Sequence, residues 1–252
     1  MKNLNLSDFN KMNKKNTGDN IEATDSNWSF SGEMVESFDN HVKKSVPLYS
    51  EGHELICDLS KFFVKDNSLV YEIGSSTGSL SIKLAKANQS KANAQFIGFD
   101  IEQDMVNKSN QNAAKENMKN VIFEQSDIVL SDLEKSDLIV CYYTMQFISP
   151  AVRQLVFDKF YKSLNWGGAL ILFEKVRASD ARLQDIINTI YLDYKLKQGY
   201  SEENIISKMM SLKGILEPFS TQGNLDMMKR AGFIDITTVQ KYLSFEGFLA
   251  IK

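Results

Sequence analysis

The chain carries two cysteines, three prolines and two histidines among 252 residues. Cys57 and Cys141 follow no metal-ligand spacing and cannot make a disulfide framework, which fits a reducing compartment, and both read as small core residues. The two histidines, His41 and His53, leave no cluster for a metal ion, and none is expected. Apolar runs are short. None approaches the ~20 residues that span a bilayer, and the start, Met1-Lys2-Asn3-Leu4-Asn5-Leu6, lacks a signal-peptide core, so the expected location is the cytoplasm with no membrane partner. An excess of basic charge is also missing. Lys and Arg number 29 against 32 Asp and Glu, so nothing global draws the chain to nucleic acid or to an anionic surface. Absent too is the G-x-G-x-x-G spacing that seats a pyrophosphate on a helix N-terminus.

What is present is a composition with 43% hydrophobic and 24% charged residues, ordinary for a globular protein of one large α/β domain. Leu69, Val70, Tyr71 and Ile73 form a short apolar run that stops at Gly74. After Gly78, the residues Leu80, Ile82, Leu84 and Ala85 share a helical face, and Phe96 to Phe99 then end on Asp100. Strand, glycine turn, helix and strand in so short a span make a βαβ unit. Gly74 and Gly78 let backbone approach a ligand, and an acid at the position of Asp100 accepts from ribose hydroxyls. Glu72 adds a negative charge that repels a pyrophosphate and suits a cation. The turn, with Ser75 and Ser76 inside it, therefore fits an adenosine carrying a sulfonium better than NAD.

Residues 1–27 hold seven Asn and few large apolar groups, and are expected to be a flexible arm. From Trp28, the residues Met34, Val35, Phe38 and Val42 have helical spacing. A second helix follows Pro47, with Leu48, Ile56, Leu59, Phe62 and Phe63 as its apolar stripe and Tyr49 at its start, either facing the crevice or anchoring the helix. Helix is expected over 101–117, strand over 121–125 and strand over 136–143, the last apolar enough to be buried on both faces. Asp127 with Ile128, just past the third strand, has the chemistry to bracket an adenine. A helix over 151–164 ends at Asn165-Trp166-Gly167-Gly168, and a fifth strand, 169–173, reaches Glu174 and Lys175. This alternation predicts an open, doubly wound sheet with Glu72, Asp100, Asp127, Tyr142 and Glu174 at the carboxyl edge, where ligands bind. Residues 180–213 are helical, interrupted at Gln198–Ser201, and read as a lid. Helix 221–231 and strands 232–239 and 245–252 close the chain, the last two pairing antiparallel.

The Glu-x-Gly-x-x-x-Gly first turn, the acid ending the second strand, Asp127 and the Gly-Gly before the fifth strand resemble the class I S-adenosylmethionine-dependent methyltransferases. More narrowly, Trp28-Ser29-Phe30, Ser45-Val46-Pro47-Leu48-Tyr49-Ser50, Thr144-Met145-Gln146-Phe147, Leu164 to Leu170, Glu174-Lys175 and Gly199-Tyr200-Ser201-Glu202 are similar in order and spacing to the carboxy-S-adenosylmethionine synthases of tRNA wobble-uridine modification. That likeness runs from about Trp28 to Lys252. It implies a Rossmann-like, seven-stranded doubly wound sheet with an antiparallel last strand, a single domain over 28–252 with a helical cap (about 28–66 and 180–213), S-adenosyl-L-methionine as cofactor, and a homodimer. It also implies that Tyr49, Gly74, Ser75, Ser76, Asp100, Ile101, Asp127 and Ile128 line the cofactor, beside Glu72, Gly78 and Tyr142.

Two positions depart from the family's pattern. Met209 stands where the resemblance places an Arg that grips the extra carboxylate, and Tyr142 stands where it places an Asn. Losing a charge-assisted clamp argues against a carboxylated cofactor. The leading expectation is thus methyl transfer to a small-molecule acceptor, with Tyr49, Tyr142, Tyr143, Tyr200 and Met209 around it and Glu174, Tyr200 or His41 as candidate proton acceptors. Carboxy-S-adenosylmethionine synthesis from prephenate is the alternative, and a cofactor-binding partner protein without chemistry is a third.

Overall fold

The computed structural model describes residues 14–19, 21–32 and 34–252. Its centre is the βαβ unit expected from the sequence: β3 (Leu69–Ile73), α3 (Ser79–Ala87) and β4 (Gln95–Asp100). With α4 (Gln103–Lys115), β5 (Val121–Gln125), β6 (Ser136–Tyr142), α5 (Pro150–Ser163), β7 (Leu164–Lys175), α8 (Thr221–Ala231), β8 (Asp235–Tyr242) and β9 (Phe245–Ile251), it builds a seven-stranded sheet of order β5-β4-β3-β6-β7-β9-β8. The neighbours from β5 to β7 pair parallel, and β9 runs antiparallel to both β7 and β8. Strand order reverses between β3 and β6, so the crevice at their carboxyl ends is the position where open α/β sheets bind ligands.

The two faces follow from strand alternation. Val70, Leu138, Val140, Ala169, Ile171 and Phe173 turn to one face, under α2 (Tyr49–Ser60), α3 and α4. Tyr71, Ile139, Cys141, Leu170, Leu172 and Phe248 turn to the other, under α5 and α8. Both faces are covered, which is why the central strands read as nearly continuous apolar runs.

Several boundaries differ from expectation for identifiable reasons. α5 already ends at Ser163, and Leu164 is extended and pairs with Ser136. Asn165 to Gly168 therefore belong to β7. There the Gly167 amide donates to the Lys252 carbonyl (2.8 Å) and the Lys252 amide to the Gly168 carbonyl (2.9 Å). Gly232, expected to open a strand, instead caps α8 at φ 119°, and β8 starts at Asp235. Phe62, placed on the stripe of α2, is exposed because that helix stops at Ser60.

The lid is α6 (Ala181–Lys197) and α7 (Glu202–Ser211), parted at Gln198–Ser201. Ser201 caps α7 by a reciprocal bond pair in which Asn204 does the work of the usual Glu or Gln. Of the arm expected over 1–27, residues 1–13 lie outside the described residues. The part described is folded, contrary to its polar composition. β1 (Lys15–Asn16) pairs antiparallel with β2 (Glu22–Ala23), and Ile21, Ala23 and Trp28 are buried with Met34, Val35 and Phe38 of α1 (Met34–Ser45). Its polar residues find partners rather than water. Asp19 accepts from Lys44 and from the Tyr200 hydroxyl (2.7 Å) and bonds His41 Nδ1 (2.8 Å). The Asn204 amide donates to the Asn16 carbonyl (3.1 Å).

Candidate functional site

The turn after β3 is held by backbone before any ligand is considered. The Gly74 and Ser75 amides both donate to the Phe99 carbonyl (2.7 and 2.9 Å), and Gly78 returns to the Ser75 carbonyl. Gly74 has φ 77°, and a Cβ there would sit 2.2 Å from Thr144 Oγ1, which itself donates to the Ile73 carbonyl (2.8 Å). The glycine is thus demanded by the loop after β6 as well as by the turn. Asp100 closes the same corner, accepting from the Ser76 amide (2.8 Å) and the Glu102 amide (3.0 Å), one on each carboxylate oxygen. Burial pushes its carboxyl upward and these backbone donors oppose that. Each oxygen keeps a lone pair for a further donor. Asp127 holds the next corner, accepting from the Val129 amide (2.9 Å) beside buried Ile128.

Over this edge lies a cavity of about 720 Å³ that runs from the turn to the lid. Of the residues singled out from sequence, the cavity brings together Tyr49, Glu72, Gly74, Ser75, Ser76, Asp100, Ile101, Asp127, Ile128, Tyr142, Tyr143, Met209 and His41. Gly78, Glu174 and Tyr200 are outside the lining. Gly78 instead caps α3 with φ 77°, against Phe123 and Ser109. Glu174 is buried in the sheet. Tyr200 faces the N-terminal hairpin, where a Cβ on Gly18 would strike its ring.

Electrostatics revise two expectations. Glu72 is buried, accepts from Ser81 Oγ, and is pushed up to about 8 by desolvation. Near neutral pH the charge expected of it is therefore largely quenched, and a cation beside it would restore it. His41 is held below its ordinary value, at about 3, by burial and by the Lys208 charge. Its Nδ1 bonds Asp19 and its Nε2 bonds the Lys208 ammonium. Neither nitrogen is free to take a proton from a substrate.

The tyrosines are a wall rather than a set of free hydroxyls. The Tyr142 hydroxyl donates to the Tyr49 carbonyl (2.6 Å), and the Tyr49 and Tyr143 rings lie 4.9 and 4.8 Å from the Tyr142 ring. Tyr143 is different: it sits at φ 60°, and its buried hydroxyl has no partner among the described residues. A non-glycine in that backbone region is uncommon and gathers at functional sites. Sequence reading missed Lys175, Lys195 and Lys208 as lining residues. The signal available was Lys175 just beyond the apolar run Ala169 to Phe173 of β7.

The seven-stranded order with an antiparallel β9, and a ligand crevice at the β3/β6 reversal, define the S-adenosylmethionine-dependent methyltransferase architecture. The comparisons agree. A family model described as "Methyltransferase domain" matches residues 64–230. A solved S-adenosylmethionine-dependent methyltransferase of Methanococcus maripaludis, described as putative, superposes with a TM-score of 0.58 at 19% identity, covering 91% of this chain and 96% of that one. A putative O-methyltransferase of Nostoc punctiforme gives 0.61 at 17% identity, covering 86% and 60%. In sequence, the carboxy-S-adenosyl-L-methionine synthase of Staphylococcus epidermidis is 37% identical over 226 residues, covering 89% of this chain and 97% of that protein. The synthase of Nautilia profundicola is 37% identical over 225 residues, covering 89% and 94%. The chain belongs to the S-adenosylmethionine-dependent methyltransferases and, within them, to the carboxy-S-adenosyl-L-methionine synthase family. Its cofactor is S-adenosyl-L-methionine.

The donor set fits that cofactor. Asp100 and Asp127 offer acceptors one strand apart, and Ser75 Oγ is buried without a partner at the turn between them and Glu72. Among the described residues no group of His, Cys, Asp and Glu is arranged to hold a metal ion, and no helix is long and apolar enough to cross a membrane.

Proposed function

We propose that the chain transfers the sulfonium methyl group in line to a small-molecule acceptor held under the α6–α7 lid. The carrying observation is the continuity of the cavity: one enclosure of about 720 Å³ reaches from the Gly74 turn to Lys195 and Met209, at the size of sites that enclose whole ligands. Bound S-adenosylmethionine supplies an electrophilic methyl. In this reading Asp100 accepts from the ribose hydroxyls, Asp127 accepts from the adenine amine beside Ile101 and Ile128, and Ser75 and Glu72 face the methionine end. Tyr49, Tyr142 and Tyr143 exclude water and turn ring faces toward positive charge. Holding acceptor and methyl together is the main demand of such a displacement. None of Glu174, Tyr200 and His41 is placed to take a proton.

Mass spectrometry of the ligand that co-purifies with the protein tests this reading. S-adenosylmethionine or S-adenosylhomocysteine is expected, with release of S-adenosylhomocysteine when acceptors are supplied. Absence of both binding and turnover refutes it.

Identity to the two synthases over nearly their full lengths favours a second reading, carboxy-S-adenosylmethionine synthesis. It predicts a cofactor product heavier by one carboxyl when S-adenosylmethionine and prephenate are supplied, and no such mass beside an active control dismisses it. We further read the chain as a cytoplasmic homodimer. Support comes from two free cysteines and from Leu183, Ile186 and Ile190, exposed on one face of α6. A monomeric mass by light scattering refutes the dimer.

A further inference from the structure

The cavity holds charges that neither the methyl transfer nor the cofactor uses. Lys195, on α6, is 5% exposed, and Lys175, at the end of β7, is half-buried. Both face the cavity, and their ammonium groups lie 4.9 and 4.7 Å from the centroid of one ring, Tyr191. Among the described residues neither takes part in an ion pair. Burial pushes Lys195 down to about 7, helped by the Lys175 charge, and pushes Lys175 down to about 8, helped by Arg177. From α7 and α1 the groups facing them are Lys208, itself held well down, and neutral His41; both feel the Lys195 charge. The hydroxyls of Tyr191 and Tyr143 are driven upward and stay neutral. Of the carboxylates around them, Asp19, whose charge reaches Lys208, is already bonded to Lys44, His41 and Tyr200. Glu174, the residue before Lys175, is buried in the sheet and pushed up to about 8 by desolvation, its charge acting on Tyr143. Unpaired buried ammonium groups are costly. Two of them share a wall that opens on a ligand-sized space.

We propose that Lys175 and Lys195, set around the Tyr191 ring, form a subsite that binds a carboxylate of the acceptor and so orients it in the cavity. The proposal rests on reading this end of the cavity as the acceptor chamber. It places the anion on α6 and β7, not at position 209 of α7, where Met209 is 46% exposed. A monoanion fits better than a dianion, because near pH 7 the two lysines together carry between one and two charges. The rings of Tyr191 and Tyr143, both packed against Phe245, offer an apolar wall to the rest of the acceptor. A bound carboxylate raises both ammonium pKa values. Binding therefore takes up protons, and affinity is greatest below the values in the free protein and falls as pH rises through and above them.

The test titrates the full chain with phenylacetate, its neutral isostere phenylacetamide, and inorganic phosphate, with and without S-adenosylhomocysteine, at about pH 6.5 and about pH 8.5. Phenylacetate is expected to bind better than phenylacetamide and better than phosphate, and to lose about tenfold or more in affinity at the higher pH. Lys195→Met and Lys175→Met are expected each to lose phenylacetate binding about tenfold or more, to keep the wild-type affinity for S-adenosylhomocysteine, and to melt at or above the wild-type temperature. Equal binding of the amide, tighter binding of phosphate, pH-independent affinity, undiminished binding by either variant, or no anion binding at all overturns the subsite. Failure of S-adenosylhomocysteine to bind the wild type overturns the cofactor reading instead, and the arm without it still judges the lysines.

Discussion

Replacing Asp100 by alanine separates the role of its carboxylate from that of the fold around it. In the protein each oxygen already accepts one backbone amide, from Ser76 at 2.8 Å and Glu102 at 3.0 Å, and the ribose reading gives each a second donor. A hydrogen bond to a charged acceptor is worth about 1.5–3 kcal/mol, so losing even one raises the Kd for S-adenosylhomocysteine by about 10- to 150-fold. Alanine also leaves two amides without acceptors in a turn where Ser76 sits at φ 49°, which lowers stability by about 1–3 kcal/mol. Asp100→Asn isolates the charge. It keeps the size of the side chain, yet its amide nitrogen cannot accept, so one backbone bond is lost in either orientation. Isothermal titration with S-adenosylhomocysteine, with melting temperatures as a folding control, should rank wild type above Asn and Asn above Ala. If both folded variants bind within about twofold of wild type, Asp100 does not hold the ribose and the cofactor assignment at this corner is wrong.

The two buried acids set a pH dependence that runs opposite to ordinary acid denaturation. Glu72 and Glu174 are each raised from about 4.5 to about 8, so the folded state binds more protons between those values and stability declines as pH rises through that window. Glu72→Gln and Glu174→Gln should flatten the decline in melting temperature, and an unchanged slope in both would refute the assignment. Asp19 is lowered to about 2, so its contribution is present above pH ~4 and is lost on acidification. Asp19→Ala, which unpairs His41, Lys44 and Tyr200, should cost about 2–4 kcal/mol in denaturant unfolding; a loss below about 0.5 kcal/mol would show that the hairpin does not dock as described. Gly74→Ala meets Thr144 at 2.2 Å with φ 77°. It should lower stability by about 2 kcal/mol or more, and Thr144→Ser in the same chain should recover part of that loss by removing the methyl that stands at 2.6 Å.

The fold was legible where local pattern and tertiary demand coincide. The glycine turn, the acid-ended β4 and the antiparallel β8–β9 pair each carry a local signal, and the structure has them. Boundaries slipped where a glycine serves a different neighbour from the one expected. Gly167 and Gly168 stand inside β7 because Lys252 pairs with them across the sheet, a contact no local window contains. Within the site, the acids at strand ends could be seen from spacing alone. Lys195 could not, since a lysine on an amphipathic helix normally marks the solvated face. Lys175 offered only its place at the end of an apolar run, and it is Tyr191 of α6, packed against both ammonium groups, that brings the two together. The hairpin over 15–23 was hidden for the converse reason. An Asn-rich, Asp-containing stretch looks unable to bury itself, yet here its polar atoms are answered by Lys44, His41, Tyr200 and Asn204.

That hairpin bears on how the protein should be handled. A polar leader of this composition invites trimming back to Trp28 before crystallisation or tagging. Such a cut deletes Asp19, the one acid shared by a segment near the start of the chain, by α1 and by the loop that opens α7. His41 Nδ1 and the Tyr200 hydroxyl would then lose the acceptor they share. The lid would lose its tether, and a shortened protein could be well folded in its sheet while reporting the wrong ligand preference.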